Sequence, residues 1–213
     1  TNAGKSTLMT RLTGEDVYCA DKLFATLDTK TSDFQLANGQ RVLLSDTVGF
    51  IDKLPHHLVA SFHATLEEVR QARLLLHVVD ASEERAVQQL ETVHRVLEDE
   101  LDINDYEELI VFNKIDAVAD PVELSILRER YPRHVAVSAL TGEGVEGLRQ
   151  AILDFAERSR CIVELELDAA DGRTLAELAR VGEVLETEYE GSVARIRVSL
   201  PNEALATFER FRR

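Results

Sequence analysis

The chain opens TNAGKSTLMTRL, and Gly4-Lys5-Ser6-Thr7 within it has the residue types of a phosphate-binding turn. In the pattern G-x-x-x-x-G-K-[ST], backbone N–H groups cradle phosphates, the lysine reaches the outer ones and the hydroxyl faces Mg²⁺. Only three residues precede Gly4, so the first glycine of the pattern and the strand that feeds it are not in this sequence. A truncated GKST alone is a weak signal, and the remainder of the chain decides its meaning.

Three further stretches suit the same chemistry. Asp46-Thr47-Val48-Gly49 ends the apolar run RVLLSD. An aspartate there is placed to act on Mg²⁺ with the Ser6 hydroxyl, because Mg²⁺ takes oxygen ligands and keeps some waters. Gly49, without a side chain, would let its N–H approach a γ-phosphate. Asn113-Lys114-Ile115-Asp116 follows a second apolar run. Guanine presents N1–H and a 2-amino group on one edge, and the Asp116 carboxylate can accept both, whereas adenine offers no such pair of donors. Asn113 can reach the N7 side of the base and brace the phosphate loop, and the aliphatic stem of Lys114 can cover the base face. Ser138-Ala139-Leu140, before TGEGVEGL, would bring backbone N–H groups to guanine O6. Each stretch taken singly has a plain alternative as a polar turn at a strand end. All four in order, the last three each after a strand-like run, point to a ligand at the C-terminal edge of an open α/β sheet.

The elements that must position these residues are legible in the periodicity. RVLLSD (41–46), LLLHVVD (74–80), LIVFNKID (109–116) and HVAVSA (134–139) read as buried parallel strands. Between them, LPHHLVASFHATLEEVRQA and ERAVQQLETVHRVLEDEL repeat apolar residues every three or four positions, as helices do. The alternation predicts an α/β fold with a mainly parallel sheet. KTSDFQLANGQRVLLSD, with Asn38-Gly39 as its turn, predicts a hairpin contributing one antiparallel strand. From about residue 158 the pattern changes. CIVELELD and SVARIRVSL alternate strictly, a helix is predicted over roughly 172–187 behind Asp171-Gly172, and another begins near Pro201. This gives a small β-α-β-α unit at 158–213 after a nucleotide-binding domain at 1–157.

With 213 residues, 45% of them hydrophobic, the chain can bury one core plus a small appendage. A net charge of −15 argues against non-specific binding to a nucleic-acid backbone. No apolar stretch is long enough to span a bilayer and no leader pattern opens the chain. Cys19 and Cys161 have no metal or redox spacing, so a reducing, cytoplasmic setting is expected. His63, His77, His94 and His134 show no ligand spacing either, and His77 is expected to be a hydrogen-bonded core residue. His56 and His57 read as solvent-facing residues near a helix start. The acids at Glu67–Glu68 and Glu98–Glu100 read as solvated helix faces.

Together TNAGKSTL, LFATLDTKT, LLSDTVGFIDKLPHHLVASFHATLEE, LLLHVVDAS, NKID and SALTGEGVEGL resemble the HflX-type GTPases of the P-loop superfamily, over about residues 1–157. DTVGFI-x-x-LP-x-x-LV-x-x-F-x-x-TLEE is the most specific part. The tail resembles the small C-terminal domain of that family more loosely. The resemblance implies a three-layer P-loop GTPase fold, GTP/GDP and Mg²⁺ as ligands, and hydrolysis of GTP. It also implies association with the large ribosomal subunit in ribosome splitting or rescue. It assigns Thr1, Asn2, Ala3, Gly4, Lys5, Ser6 and Thr7 to the phosphates. Phe24, Ala25, Thr26, Leu27 and Asp28 become a first switch loop, in which Thr26 joins Ser6 and Asp46 on the metal. Lys5, Thr26 and Gly49 take the catalytic roles. A proline common after that aspartate in relatives is replaced by Thr29. The resemblance further implies that an N-terminal domain and a central strand of the sheet precede this sequence in its parent protein. A monomer is expected.

Many GTPases carry a glutamine after the glycine of D-x-x-G to orient water. Phe50 and Ile51 stand here, so slow intrinsic turnover raised by a partner is expected. Two other readings stay open: a nucleotide-gated interaction module that does not hydrolyse, and an ATP-dependent enzyme, against which Asp116 argues.

Overall fold

The structure is a computed structural model that describes residues 2–14, 30–47, 68–100, 103 and 106–212. The first-switch residues Phe24 to Asp28 and the stretch from Val48 to Glu67, with Gly49, His56, His57 and His63, lie outside the described residues, as do Thr1 and Cys19. By proximity the chain forms two compact units, Thr1–Ala151 and Ile152–Arg213.

In the first unit, helix α1 (Lys5–Thr13) follows the opening turn and buries Leu8, Met9 and Leu12. Strands β1 (Lys30–Gln35) and β2 (Arg41–Asp46) form an antiparallel hairpin in which Lys30 faces Asp46 and Gln35 faces Arg41. The Asn38-Gly39 turn closes it, with Leu36 N–H donating to Gln40 O and Asn38 Oδ1 accepting from Gln40 N–H. Among the described residues RVLLSD pairs only with β1, antiparallel, and not within the parallel set. Its partner sits across a short tight turn, and a parallel pair needs a long crossover.

The parallel part of the fold is the three-stranded sheet β3-β4-β5, from β3 (Leu74–Asp80), β4 (Glu107–Asn113) and β5 (His134–Ala136). Among the described residues β2 and β3 belong to separate sheets. Helix α2 (Ala86–Arg95) links β3 to β4 and widens into a π turn at Val96–Glu100. Helix α3 (Pro121–Arg130) links β4 to β5. Asp120 caps α3, accepting from Val122 N–H at 2.9 Å, and Pro121 occupies the first turn, where its missing N–H costs nothing. Leu90, Phe112 and Leu127 form the core between these helices and the sheet with Val79, Ala86 and Ile110. Helix α4 (Val145–Arg158) follows.

The second unit is an antiparallel sheet in the order β6-β8-β7, from β6 (Arg160–Asp168), β7 (Glu183–Glu190) and β8 (Val193–Pro201). Helix α5 (Gly172–Val181) is capped by Asp171, whose carboxylate accepts from both the N–H and the hydroxyl of Thr174. Leu178, fully buried, packs with Val163, Leu165, Ile196, Val198, Leu200 and Phe208.

The helix anticipated over roughly 172–187 stops at Val181, and the residues after it form β7. Gly182 lies so close to Val198 and Leu200 that a Cβ there would meet their methyl groups at 2.7 Å. The chain leaves the helix there in an extended conformation, φ −107° and ψ 165°. EVLETEYE then gains a ladder to β8 and a set of charge pairs. Arg195 lies between Glu166 of β6 and Glu188 of β7, and Arg197 between Glu164 and Glu186. Arg195 bonds Glu166 at 3.0 Å and Glu190 at 2.8 Å. Acidic residues on this edge strand also discourage pairing with another sheet. The terminal helix is likewise shorter than the sequence suggests: Pro201 ends β8, and only Leu205–Phe208 is α-helical, as α6.

Leu178→Ala is expected to cost this unit about 2–5 kcal/mol, because the fully buried site leaves a cavity that flanking strands cannot fill. Urea unfolding followed by circular dichroism measures it, and an unchanged midpoint would contradict this packing.

Candidate functional site

The parallel register decides which residues meet. Asp80 pairs with Asn113 across β3 and β4, and Phe112 with Ala136 across β4 and β5. Asp80, Asn113, Lys114 and the Ser138–Leu140 turn therefore emerge together at the C-terminal ends of the three strands. The turn before α1 is tied to the same edge.

Asn113 makes that tie. Its side chain is 1% exposed. The Nδ2 amide donates to Ala3 O at 2.8 Å, and Oδ1 accepts from Ala139 N–H at 2.9 Å. One buried amide thus joins the opening turn, β4 and the loop after β5. Gly4 faces it directly: its φ is +85°, and a Cβ on it would sit 2.4 Å from Asn113 Nδ2. Only glycine combines that conformation with that approach. Asn2 also has a left-handed backbone, φ 64°.

Beyond the turn, Lys5 and Ser6 open α1, where backbone N–H groups and the helix dipole favour an anion. Ser6 Oγ donates to Asp46 Oδ2 at 2.5 Å, so the end of β2 reaches the start of α1. Asp46 is 5% exposed. Burial lowers the Lys5 pKa below its ordinary 10.5, while the charge of Asp46 partly restores it. A second negative partner at this place would favour the ammonium form further. Ser6 and Asp46 supply adjacent hard oxygen donors, which fit Mg²⁺ and no soft metal. Thr47 follows at the strand end, half-buried.

Lys114 adopts φ 61°, ψ 36°, and its Nζ pairs with Asp80 Oδ2 at 2.6 Å. Burial opposes ionisation of Asp80, but bonds from Lys114 and from the N–H and hydroxyl of Ser82 outweigh it and hold the carboxyl below its usual range. Asp116 is exposed on the 3₁₀ turn Ile115–Ala117, which Ile115 N–H anchors to Val137 O at 3.2 Å. The Asp116 carboxylate thus faces solvent on a fixed turn beside Lys114.

The Ser138–Leu140 loop is held from several sides. Ser138 is fully buried and its Oγ accepts from Thr141 N–H. Arg11 of α1 donates to Ala139 O at 3.2 Å and to Leu140 O at 2.6 Å. The Ala139 N–H is engaged by Asn113, so in this arrangement it is not directed at a ligand carbonyl. Leu140 is 74% exposed, a large apolar side chain at the mouth of the site.

Asp80, Arg11 and Arg149 are the functional neighbours that sequence reasoning passed over. Arg149 of α4 donates to Arg11 O and Leu12 O, closing the C-terminal end of α1. No local spacing reveals it. Asp80 did leave a trace, as the acid ending LLLHVVD beside a lysine-bearing strand end.

Asn113→Ala is expected to remove about 2–4 kcal/mol of stability, since the buried Ala139 N–H and the half-buried Ala3 carbonyl lose their partner at once. Gly4→Ala should perturb the same contact from the other side. Chemical denaturation of both variants checks this, and parent-like midpoints would show that the clamp does not hold the turn.

The family model described as 50S ribosome-binding GTPase matches residues 1–114. The GTPase HflX of Lacrimispora saccharolytica is 40% identical over 208 residues, covering 97% of this chain and 48% of that protein. The GTPase HflX of Escherichia coli is 43% identical over 206 residues, covering 94% of this chain and 47% of that protein. The chain spans about half the length of these curated relatives. Among solved structures, Aquifex aeolicus Era bound to GDP·AlF4⁻ superposes with a TM-score of 0.56 at 23% identity, covering 72% of this chain and 53% of that one. That last likeness is one of fold.

Proposed function

Because the chain belongs to the 50S ribosome-binding GTPase family, we propose that its first unit is a GTP-binding and GTP-hydrolysing switch. The observation that carries this reading is the Asn113 clamp, which sets the phosphate turn and the base-side loops in one frame. From that frame Asp116 accepts guanine N1–H and the 2-amino group. Lys114, held by Asp80, lays its stem against the base. Ser138, Ala139 and Leu140 border its O6 edge.

At the other end, Thr1 to Thr7 wrap the phosphates with backbone N–H groups, and Lys5 reaches the β- and γ-phosphates. Ser6 and Asp46 would hold Mg²⁺, which neutralises phosphate charge when bound, with Thr26 as the third protein ligand in the triphosphate state. Phe24, Ala25, Leu27 and Asp28 carry that threonine in the first switch. Thr47, Val48 and Gly49 lie along the γ-phosphate. Water attacks the γ-phosphorus, the bond to the β–γ bridging oxygen breaks, and GDP and phosphate leave. Lys5 stabilises the negative charge on the transferred group. With Phe50 and Ile51 after Gly49, no side chain there orients water. Turnover is therefore slow until a partner orders the switches.

By family, that partner is the large ribosomal subunit, and the act is subunit splitting or rescue of stalled ribosomes. The divisions 1–157 and 158–213 then separate the nucleotide domain from a small C-terminal one. Among the described residues no helix is long and apolar enough to cross a membrane. A monomer acting in the cytoplasm suits this reading.

Asp116→Asn should weaken GDP binding about 100-fold, the loss of two bonds to a charged acceptor, and relax selectivity for guanine. Titration with fluorescent guanine and xanthine nucleotides measures this, and unchanged selectivity would refute the base-side assignment. GTP turnover with and without purified large subunits tests the switch. Stimulation that Lys5→Ala abolishes is expected. Tight GTP binding without turnover in either condition would instead favour a gated module.

A further inference from the structure

One side-chain cluster in the first unit has no part in the nucleotide site. His77 on β3, His94 on α2 and Glu108 on β4 bring one donor atom each to within 4.8 Å of one another. His77 Nδ1 lies 2.8 Å from Glu108 Oε1. His94 Nε2 lies 2.8 Å from the same oxygen and 2.9 Å from Oε2. The two rings meet edge to face, 5.5 Å between centroids. We propose that His77, His94 and Glu108 form a binding site for a divalent transition-metal ion, Zn²⁺ foremost.

The donor set is two imidazole nitrogens and one carboxylate, which suits Zn²⁺, Co²⁺ or Ni²⁺ and disfavours Mg²⁺. A tetrahedral ion with bonds of about 2.0–2.2 Å needs its ligand atoms about 3.4 Å apart. The present hydrogen-bonded separations of 2.8–2.9 Å open to that distance by small side-chain rotations. The ion takes the place of the hydrogens now shared between the rings and the carboxylate. Three protein ligands leave the fourth position to water. Side-chain exposures of 12% for His77, 19% for Glu108 and 27% for His94 describe a site largely sheltered by the fold.

The three ligands come from three elements whose mutual placement is already fixed. Glu108 sits near the start of β4 and His77 in the middle of β3, which pair in parallel. His94 lies in the last turn of α2, which packs on that sheet. The ligands are thus preorganised, and the ion pays little ordering entropy. The site lies three residues from Asp80 along β3, about 10 Å from the nucleotide-facing strand ends. It is distinct from Ser6 and Asp46 in place and in donor chemistry.

The test is calorimetric titration of the chelator-stripped chain with Zn²⁺ at pH 7.5, in millimolar Mg²⁺ to fill oxygen-only sites. One ion per chain is expected. His94→Gln and Glu108→Gln should each weaken it at least about tenfold, as removal of a direct ligand exceeds the effect of an outer one. Melting curves by circular dichroism identify variants that remain folded. Absence of stoichiometric binding, or a folded His94→Gln chain that binds as tightly as the parent, overturns the proposal. So does a Co²⁺ spectrum with strong thiolate charge-transfer bands, which would assign the ion to cysteine.

Discussion

A single buried amide organises the first unit. Asn113 is the last residue of β4, and both ends of its side chain are committed to backbone: Nδ2 to Ala3 O and Oδ1 to Ala139 N–H. Polar groups removed from water are costly unless paired, so three separate chain segments are obliged to keep one geometry. Gly4 is a consequence of that clamp, since a side chain there would collide with the amide. The position of Lys5 and Ser6 follows, because α1 begins at the next residue. Lys114 is placed by the same strand end, and Asp116 by the turn that Ile115 anchors to β5's continuation.

Around that amide the fold adds supports of a different kind. Arg11 and Arg149 cross between elements to reach carbonyl oxygens, Arg11 at the Ser138–Leu140 loop and Arg149 at the end of α1. A guanidinium suits such tasks because its planar fork serves two acceptors at once. The Asp80–Lys114 pair restrains a long cation that would otherwise move freely. These contacts spend charged side chains on positioning loops. In a chain with a net charge of −15, the positive local field at the opening turn comes from Lys5, the start of α1 and its N–H groups.

The second unit obeys a separate logic. Its core is the buried face of an antiparallel sheet against α5, with Leu178 and Phe208 closing it. Its outward face is a lattice of glutamates and arginines in register across β6, β8 and β7. Alternating polarity along β6 and β8 anticipated those two strands. It could not anticipate β7, all of whose residues are exposed and whose acids suit a helix surface equally well. Pairing with β8 decided between them, and that partner follows it in the chain.

The sequence by itself determined the strand ends that matter. GKST, DTVG, NKID and SAL are local patterns, and the apolar runs before the last three read as strands of a layered α/β fold. Their chemistry is carried by residue type: a lysine and hydroxyl at a helix start, a carboxylate on an exposed turn after a strand. The tertiary structure decided what depends on register and on distant partners. It set RVLLSD antiparallel, ended α5 at Gly182, spent the Ala139 N–H on Asn113 and paired Lys114 with Asp80. It also brought His77, His94 and Glu108 together, although their spacing of 17 and 14 residues matches no ligand pattern. Such contacts join residues on different elements, and the energy that selects them arises only when those elements pack. A linear pattern records propensity within one segment, whereas a shared hydrogen bond between segments has no trace in either alone.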